Sequence, residues 1–126
     1  MKALFLALSA AGLLAAPVAV AQSPTGLAAI ADHSPQQRAM AAGYKALTVC
    51  SALKTAEAAG STRSLASIEA NELSGIYPEL QPIIGHLTAE VADHEVRVAW
   101  DASAPARVAS YRSGHGCVIQ PMGYVW

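Results

Sequence analysis

The chain has 126 residues, of which 53 % are hydrophobic, and its 8 basic and 9 acidic side chains leave a formal net charge of −1. Near-balanced charge without runs of Lys or Arg excludes an electrostatic grip on nucleic acid or on an anionic membrane, since both need clustered cations. The length excludes more than one modest hydrophobic core.

The first 21 residues carry the three parts of a cleavable signal peptide. Met1 and Lys2 supply the positive start, Ala3 to Ala16 form an apolar stretch, and Ala19-Val20-Ala21 is a small-x-small cleavage site ahead of Gln22. A membrane anchor is the weaker reading: Pro17 interrupts the stretch and no basic residues follow it, whereas a stable span needs about 20 apolar residues. No later stretch approaches that length, so the mature chain is expected to be free of the membrane. Cleavage removes one charge, Lys2, and leaves 7 basic and 9 acidic groups in a module of about 105 residues, exported to a periplasm or beyond the cell. The domain division follows: 1–21 signal peptide, 22–35 lead-in, 36–126 a small folded module.

Export places the two cysteines, Cys50 and Cys117, where thiols oxidise, which favours a bond between them. Two buried free thiols are one alternative. A reactive or metal-binding pair is another, weakened by the absence of any Cys-x-x-Cys. A bridge closing a loop of this length contributes on the order of 4 to 5 kcal/mol in the chain-entropy account.

In chain order, residues 22–35 read as a flexible or loosely packed lead-in. Ser34 then caps a helix whose first position is Pro35, where a missing N–H costs nothing. From Gln36 to about Ala58 the only Gly is Gly43 and there is no Pro. Met40, Tyr44, Leu47 and Ser51 follow helical spacing, and Gly43, Ala46, Cys50 and Leu53 make the adjoining stripe. Gly60-Ser61-Thr62 ends this run, and Ser64 opens a shorter helix through Leu65, Ile68, Ala70 and Leu73, closed by Gly75. Residues 76–87, with Pro78, Pro82 and Gly85 among Ile76, Leu80, Ile83 and Ile84, suit an apolar connector.

Beyond residue 88 the period falls from about 3.6 to 2. Val96, Val98 and Trp100 alternate with Glu95, Arg97 and Ala99, with a partner strand at Ala89 to Ala92 turning at Asp93-His94. After a turn at Asp101 to Pro105, Arg107 to Arg112 makes a return strand, and Ser113-Gly114-His115-Gly116 breaks it before Cys117-Val118-Ile119. The fold class predicted is α+β: two helices followed by a small antiparallel β-meander, with the helix carrying Cys50 stapled to the end of the sheet. The apolar tail Gln120 to Trp126 and the sheet edges are expected to need cover.

Two constellations resemble chemistry. Ser51-Ala52-Leu53-Lys54 matches the Ser-x-x-Lys in which Lys activates a serine nucleophile. Such a serine opens its helix, leaving its N–H free for an oxyanion hole, whereas Ser51 is expected deep inside a helical run; a surface Ser and a solvated Lys are the favoured reading. His86, Asp93, His94, Glu95 and His115 are metal-binding residue types. Asp93-His94-Glu95 are consecutive, so they alternate or turn rather than converge on one ion, and the expectation is no metal; the same holds for His33. Trp100 and Tyr111 suit core positions better than a ligand-stacking role.

Three blocks carry a family resemblance: Ala42-Gly43-Tyr44-Lys45-Ala46-Leu47-Thr48-Val49-Cys50-Ser51, Val96-Arg97-Val98-Ala99-Trp100, and Arg107-Val108-Ala109-Ser110-Tyr111-Arg112-Ser113-Gly114-His115-Gly116-Cys117. They resemble the N-terminal region of secreted bacterial serine hydrolases related to class C β-lactamases and 6-aminohexanoate-dimer hydrolases, over residues 36–119. The resemblance implies a hydrolase acting on amide or ester bonds by acyl transfer, without metal or organic cofactor. It places the catalytic Ser-x-x-Lys in a downstream domain, which would be this segment's partner. No catalytic residue transfers to this chain: the family's serine at Ser51 is not its nucleophile, and Lys54 stands where the family more often has an apolar residue. The expected function is therefore the leading segment of a serine hydrolase, inactive alone. A free-standing exported binding or accessory module is the alternative, and a self-contained enzyme using Ser51 and Lys54 the third.

Overall fold

A computed structural model describes residues 25–125; the signal-peptide expectation, residues 1–21, lies outside them. Helix α1 (Pro35–Ala58) starts where the local chemistry dictates. Ser34 Oγ accepts from the Gln37 N–H at 3.2 Å while the Ser34 N–H donates back to Gln37 Oε1 at 3.1 Å, so two otherwise orphaned donors satisfy each other. The helix stops at Gly60, whose φ of +69° suits a residue without Cβ. There the Ser61 N–H reaches the Ala56 carbonyl at 2.9 Å and the Gly60 N–H the Glu57 carbonyl at 3.0 Å, the reciprocal pair that satisfies terminal carbonyls.

Ser64 caps α2 (Leu65–Glu72) by accepting from the Ser67 N–H at 3.1 Å. The apolar connector is more ordered than expected, because Leu80, Ile83 and Ile84 turn inward on a single-turn helix α3 (Gln81–Ile84). Four strands, β1 (Ala89–Val91), β2 (Glu95–Val98), β3 (Arg107–Arg112) and β4 (Gly116–Ile119), pair antiparallel in the order β1-β2-β3-β4. The fold class is α+β, and the meander has four strands, the partner expected at Ala89 to Ala92 being present as β1. β1 pairs with β2 through Ala89↔Val98 and Val91↔Val96, and three residues are enough to form an edge.

Register decides the faces. Val96 pairs with Ala109, which pairs with Ile119, and Tyr111 pairs with Cys117. With a period of two, Val96, Val98, Arg107, Ala109, Tyr111, Cys117 and Ile119 share the face toward α1. Helix α1 lies across this face with its small residues inward: Ala42, Ala46 and Val49 are fully buried and Cys50 nearly so. Small side chains let helix and sheet approach closely, and Ile30, Ile68, Leu73, Ile83, Ile84 and Leu87 complete one core. Each fully buried Val or Ile contributes about 1.5–3 kcal/mol.

The lead-in differs from the loosely packed segment expected. Gly26–Ile30 forms a 3-10 helix and Ile30 is fully buried in the core. One well-placed isoleucine anchors a stretch that otherwise lacks hydrophobic periodicity.

Candidate functional site

The disulfide expected between Cys50 and Cys117 is present, with Cα atoms 6.1 Å apart. It ties α1 covalently to β4, an edge strand otherwise held by its ladder with β3 and by packing against the core. The two glycines of that hairpin, Gly114 and Gly116, both have positive φ, so the tight return before Cys117 needs their missing Cβ atoms.

Ser51 lies two-thirds of the way along α1, half-buried. Its side chain has no hydrogen bond among the described residues. Lys54 turns away from it, binding Glu57 Oε2 at 2.7 Å with its ammonium 5.2 Å from the centre of the Tyr111 ring. Its hydrogen bond and charge hold the Glu57 carboxyl below the usual carboxylate range. Nothing in this arrangement prepares the Ser51 hydroxyl for attack.

The histidines and acids do not converge. His86 is exposed beyond α3, Asp93 and His94 occupy the β1–β2 turn, and His115 sits in the β3–β4 hairpin with Nδ1 3.2 Å from the Ser113 carbonyl. Glu95 is held by Arg97 Nε on its own strand. Among the described residues no group of three or more His, Cys, Asp or Glu side chains comes together. Trp100 is buried in the core, its Nε1–H donating to the Pro105 carbonyl at 3.0 Å.

Two cations that sequence reasoning did not single out take unusual positions. Lys45 is 2 % exposed. Its ammonium donates to the Leu87 carbonyl at 2.5 Å and the Ile84 carbonyl at 3.4 Å and pairs with Glu69 Oε1 at 2.6 Å. With three N–H bonds and three acceptors it is saturated, and it clamps α1 to α2 and to the α3–β1 link. Its signal was its phase: Ala41 and Val49, one helical turn away on either side, are both buried. Arg107 is the reverse case. It is half-buried on the sheet face toward α1, its Nε is shut off from solvent without an acceptor, and no ion pair involves it among the described residues. Its signal was strand alternation, which groups it with Ala109 and Tyr111.

Arg107 lines an open groove of about 770 Å³. Helix α1 supplies one side through Gln36, Met40, Gly43, Tyr44 and Leu47; Met40, Tyr44 and Leu47 belong to one stripe noted in the sequence and Gly43 to the adjoining one. Tyr77 and Leu80 of the connector stand opposite, Tyr77 meeting Tyr44 edge to face with ring centres 6.1 Å apart. Ile119 of β4 and Met122 of the tail complete it. Apart from Arg107, the charged group here is the exposed Glu79. Met40, Leu47, Tyr77 and Met122 are 37–62 % exposed along this groove, an apolar surface of the kind that marks binding sites.

No family model matches the chain, no curated protein matches its sequence, and no solved structure matches its fold.

Proposed function

We propose that this chain is an exported, non-catalytic binding module whose working surface is the apolar groove between α1, the Tyr77–Leu80 connector and the end of β4. The observation that carries this reading is the co-location of four exposed large apolar side chains in one concave surface. The scaffold around it supports a binding role, because a disulfide, a saturated buried lysine and an Ala-rich helix hold the walls without needing a ligand. The disulfide also supports export, since such bonds persist in oxidising compartments. Among the described residues no helix is long and apolar enough to cross a membrane.

The test is titration of the mature protein with N-phenyl-1-naphthylamine, a neutral apolar fluorophore. Saturable enhancement that Met40→Glu with Leu47→Glu abolishes in a still-folded protein is expected; no enhancement overturns the reading. A fluorophosphonate probe is expected to leave the protein unlabelled. Labelling that disappears in Ser51→Ala would make it an enzyme instead.

One observation favours a second reading. The Cys50–Cys117 bond joins the first and third of the three blocks that carry the hydrolase resemblance, as a leading segment of an exported serine hydrolase acting on amide or ester bonds would require. In that case the groove's cover is a downstream domain. Reading the gene through and past the Trp126 codon decides it: a Ser-x-x-Lys at a helix start supports the hydrolase, and its absence in all frames removes this reading.

A further inference from the structure

We infer that the groove binds a free medium-chain carboxylate, with its hydrocarbon along the apolar stripe of α1 and its carboxylate on Arg107. This rests on the binding-module reading above. Three observations select this class of ligand.

The first is charge. A guanidinium brought into an apolar groove without a counter-charge loses hydration and regains nothing. The Arg107 Nε–H is buried and has no acceptor, and no carboxylate pairs with Arg107 among the described residues. A ligand carboxylate supplies the missing charge at the guanidinium's terminal nitrogens, which unlike Nε are not shut off from solvent. Glu79, the groove's own acid, stays exposed and repels ligands of higher negative charge, which favours a monocarboxylate over a phosphate ester.

The second is room. Gly43 faces Arg107, and a Cβ placed there would lie 3.4 Å from its Nε and from one terminal nitrogen. The guanidinium thus packs against the helix backbone at Gly43, which sets where along α1 its charge sits. From Gly43 to Pro35, the far end of the lining, the helix axis covers about 12 Å. This length fits a medium hydrocarbon chain rather than a long one.

The third is the lining. Met40, Leu47 and Met122 are flexible or branched apolar side chains that adapt to a hydrocarbon, and few polar groups accompany them. An extended peptide would lay amides against these side chains with little to bond them, while a hydrocarbon makes no such demand.

The experiment is calorimetric titration of the disulfide-bonded mature protein with decanoate and, in parallel, decan-1-ol, which has the same chain and no charge. Decanoate is expected to bind at least about ten-fold more tightly than the alcohol, the scale of hydrogen bonds to a charged group. Arg107→Met is expected to remove that advantage, while Arg107→Lys retains part of it. Should Arg107→Met fail to fold by circular dichroism, Met40→Glu gives the second test, because a carboxylate on the exposed rim weakens decanoate more than decanol. Equal binding of acid and alcohol, or an unchanged decanoate affinity in Arg107→Met, overturns the carboxylate inference and leaves the binding module intact. Displacement of decanoate by a sub-stoichiometric Leu-Leu-Leu tripeptide overturns it in favour of peptide C-termini. Binding of neither decanoate nor decanol, together with no response to the neutral fluorophore, overturns both readings.

Discussion

Lys45 and Ser110 show how differently two buried polar side chains weigh on stability. The Lys45 ammonium meets three acceptors from two other parts of the chain. Lys45→Met keeps most of the volume but leaves the Leu87 carbonyl without a donor and Glu69 without its cation, while the Ile84 carbonyl still accepts from the Leu87 N–H at 3.3 Å; the expected loss is about 2 kcal/mol in urea unfolding. Glu69→Gln costs less, because Glu69 is half-exposed and an amide oxygen still accepts. Ser110 is fully buried and its Oγ has no partner. Ser110→Ala removes an unsatisfied group, so it is expected to be neutral or stabilising by up to about 1 kcal/mol, as the same denaturation would show. Asp101 governs a pH effect. Its carboxylate accepts from the Ser103 N–H and Oγ and pairs with Arg38 at 3.0 Å; the Ser103 bonds first, then Arg38, hold its carboxyl below the usual range. A depressed folded pKa adds stability that is present above the unfolded value and is lost as pH falls through the folded one. Thermal midpoints should therefore drop below about pH 4, and the drop should be smaller in Asp101→Asn.

At the scale of elements, the caps were legible and the faces only partly. Ser34, Pro35, Gly60 and Ser64 act on groups within five residues of themselves, so their identity and spacing set the ends of α1 and the start of α2. The alternation Glu95 to Val98 announced β2 for the same reason: side chains two apart share a face whatever lies beyond. Sequence spacing identified two stripes on α1 but did not say which would meet the sheet. That choice belongs to the disulfide and to the small side chains, which bring Ala42, Ala46 and Val49 against β2 and β3 and leave Met40 and Leu47 outward. The bond between Cys50 and Cys117, 67 residues apart, is expected to contribute about 4 kcal/mol by restricting the unfolded chain. Reduction should lower the urea midpoint accordingly. Amide exchange should then accelerate first in β4, the edge strand the bond secures.

For the whole molecule, the signal peptide expected from the sequence and the disulfide make one prediction together. Expressed with its own first 21 residues in a bacterium with an oxidising periplasm, the protein is expected to be recovered from that compartment beginning at Gln22, and lighter than the thiol form by the two hydrogens lost on oxidation. Intact-mass measurement checks both at once. A product retaining Met1 would remove the export reading. The groove also belongs to this scale, since it is assembled from a helix, a connector, a strand end and a tail separated by up to 87 residues, Pro35 to Met122. No local window contains it.

The sequence by itself determined the α+β class, the start of α1, the cap of α2, the alternating strands and the pair of cysteines that bond, because each depends on hydrogen bonds and side-chain directions set within a few residues, or on there being two thiols and no third. Only the tertiary structure decided that Lys45 is a buried clamp, that Ile30 anchors the lead-in, and that Arg107 stands uncompensated beside Gly43. These depend on which distant surfaces meet, and the free energy of such meetings comes from burial and desolvation that no stretch of chain expresses alone.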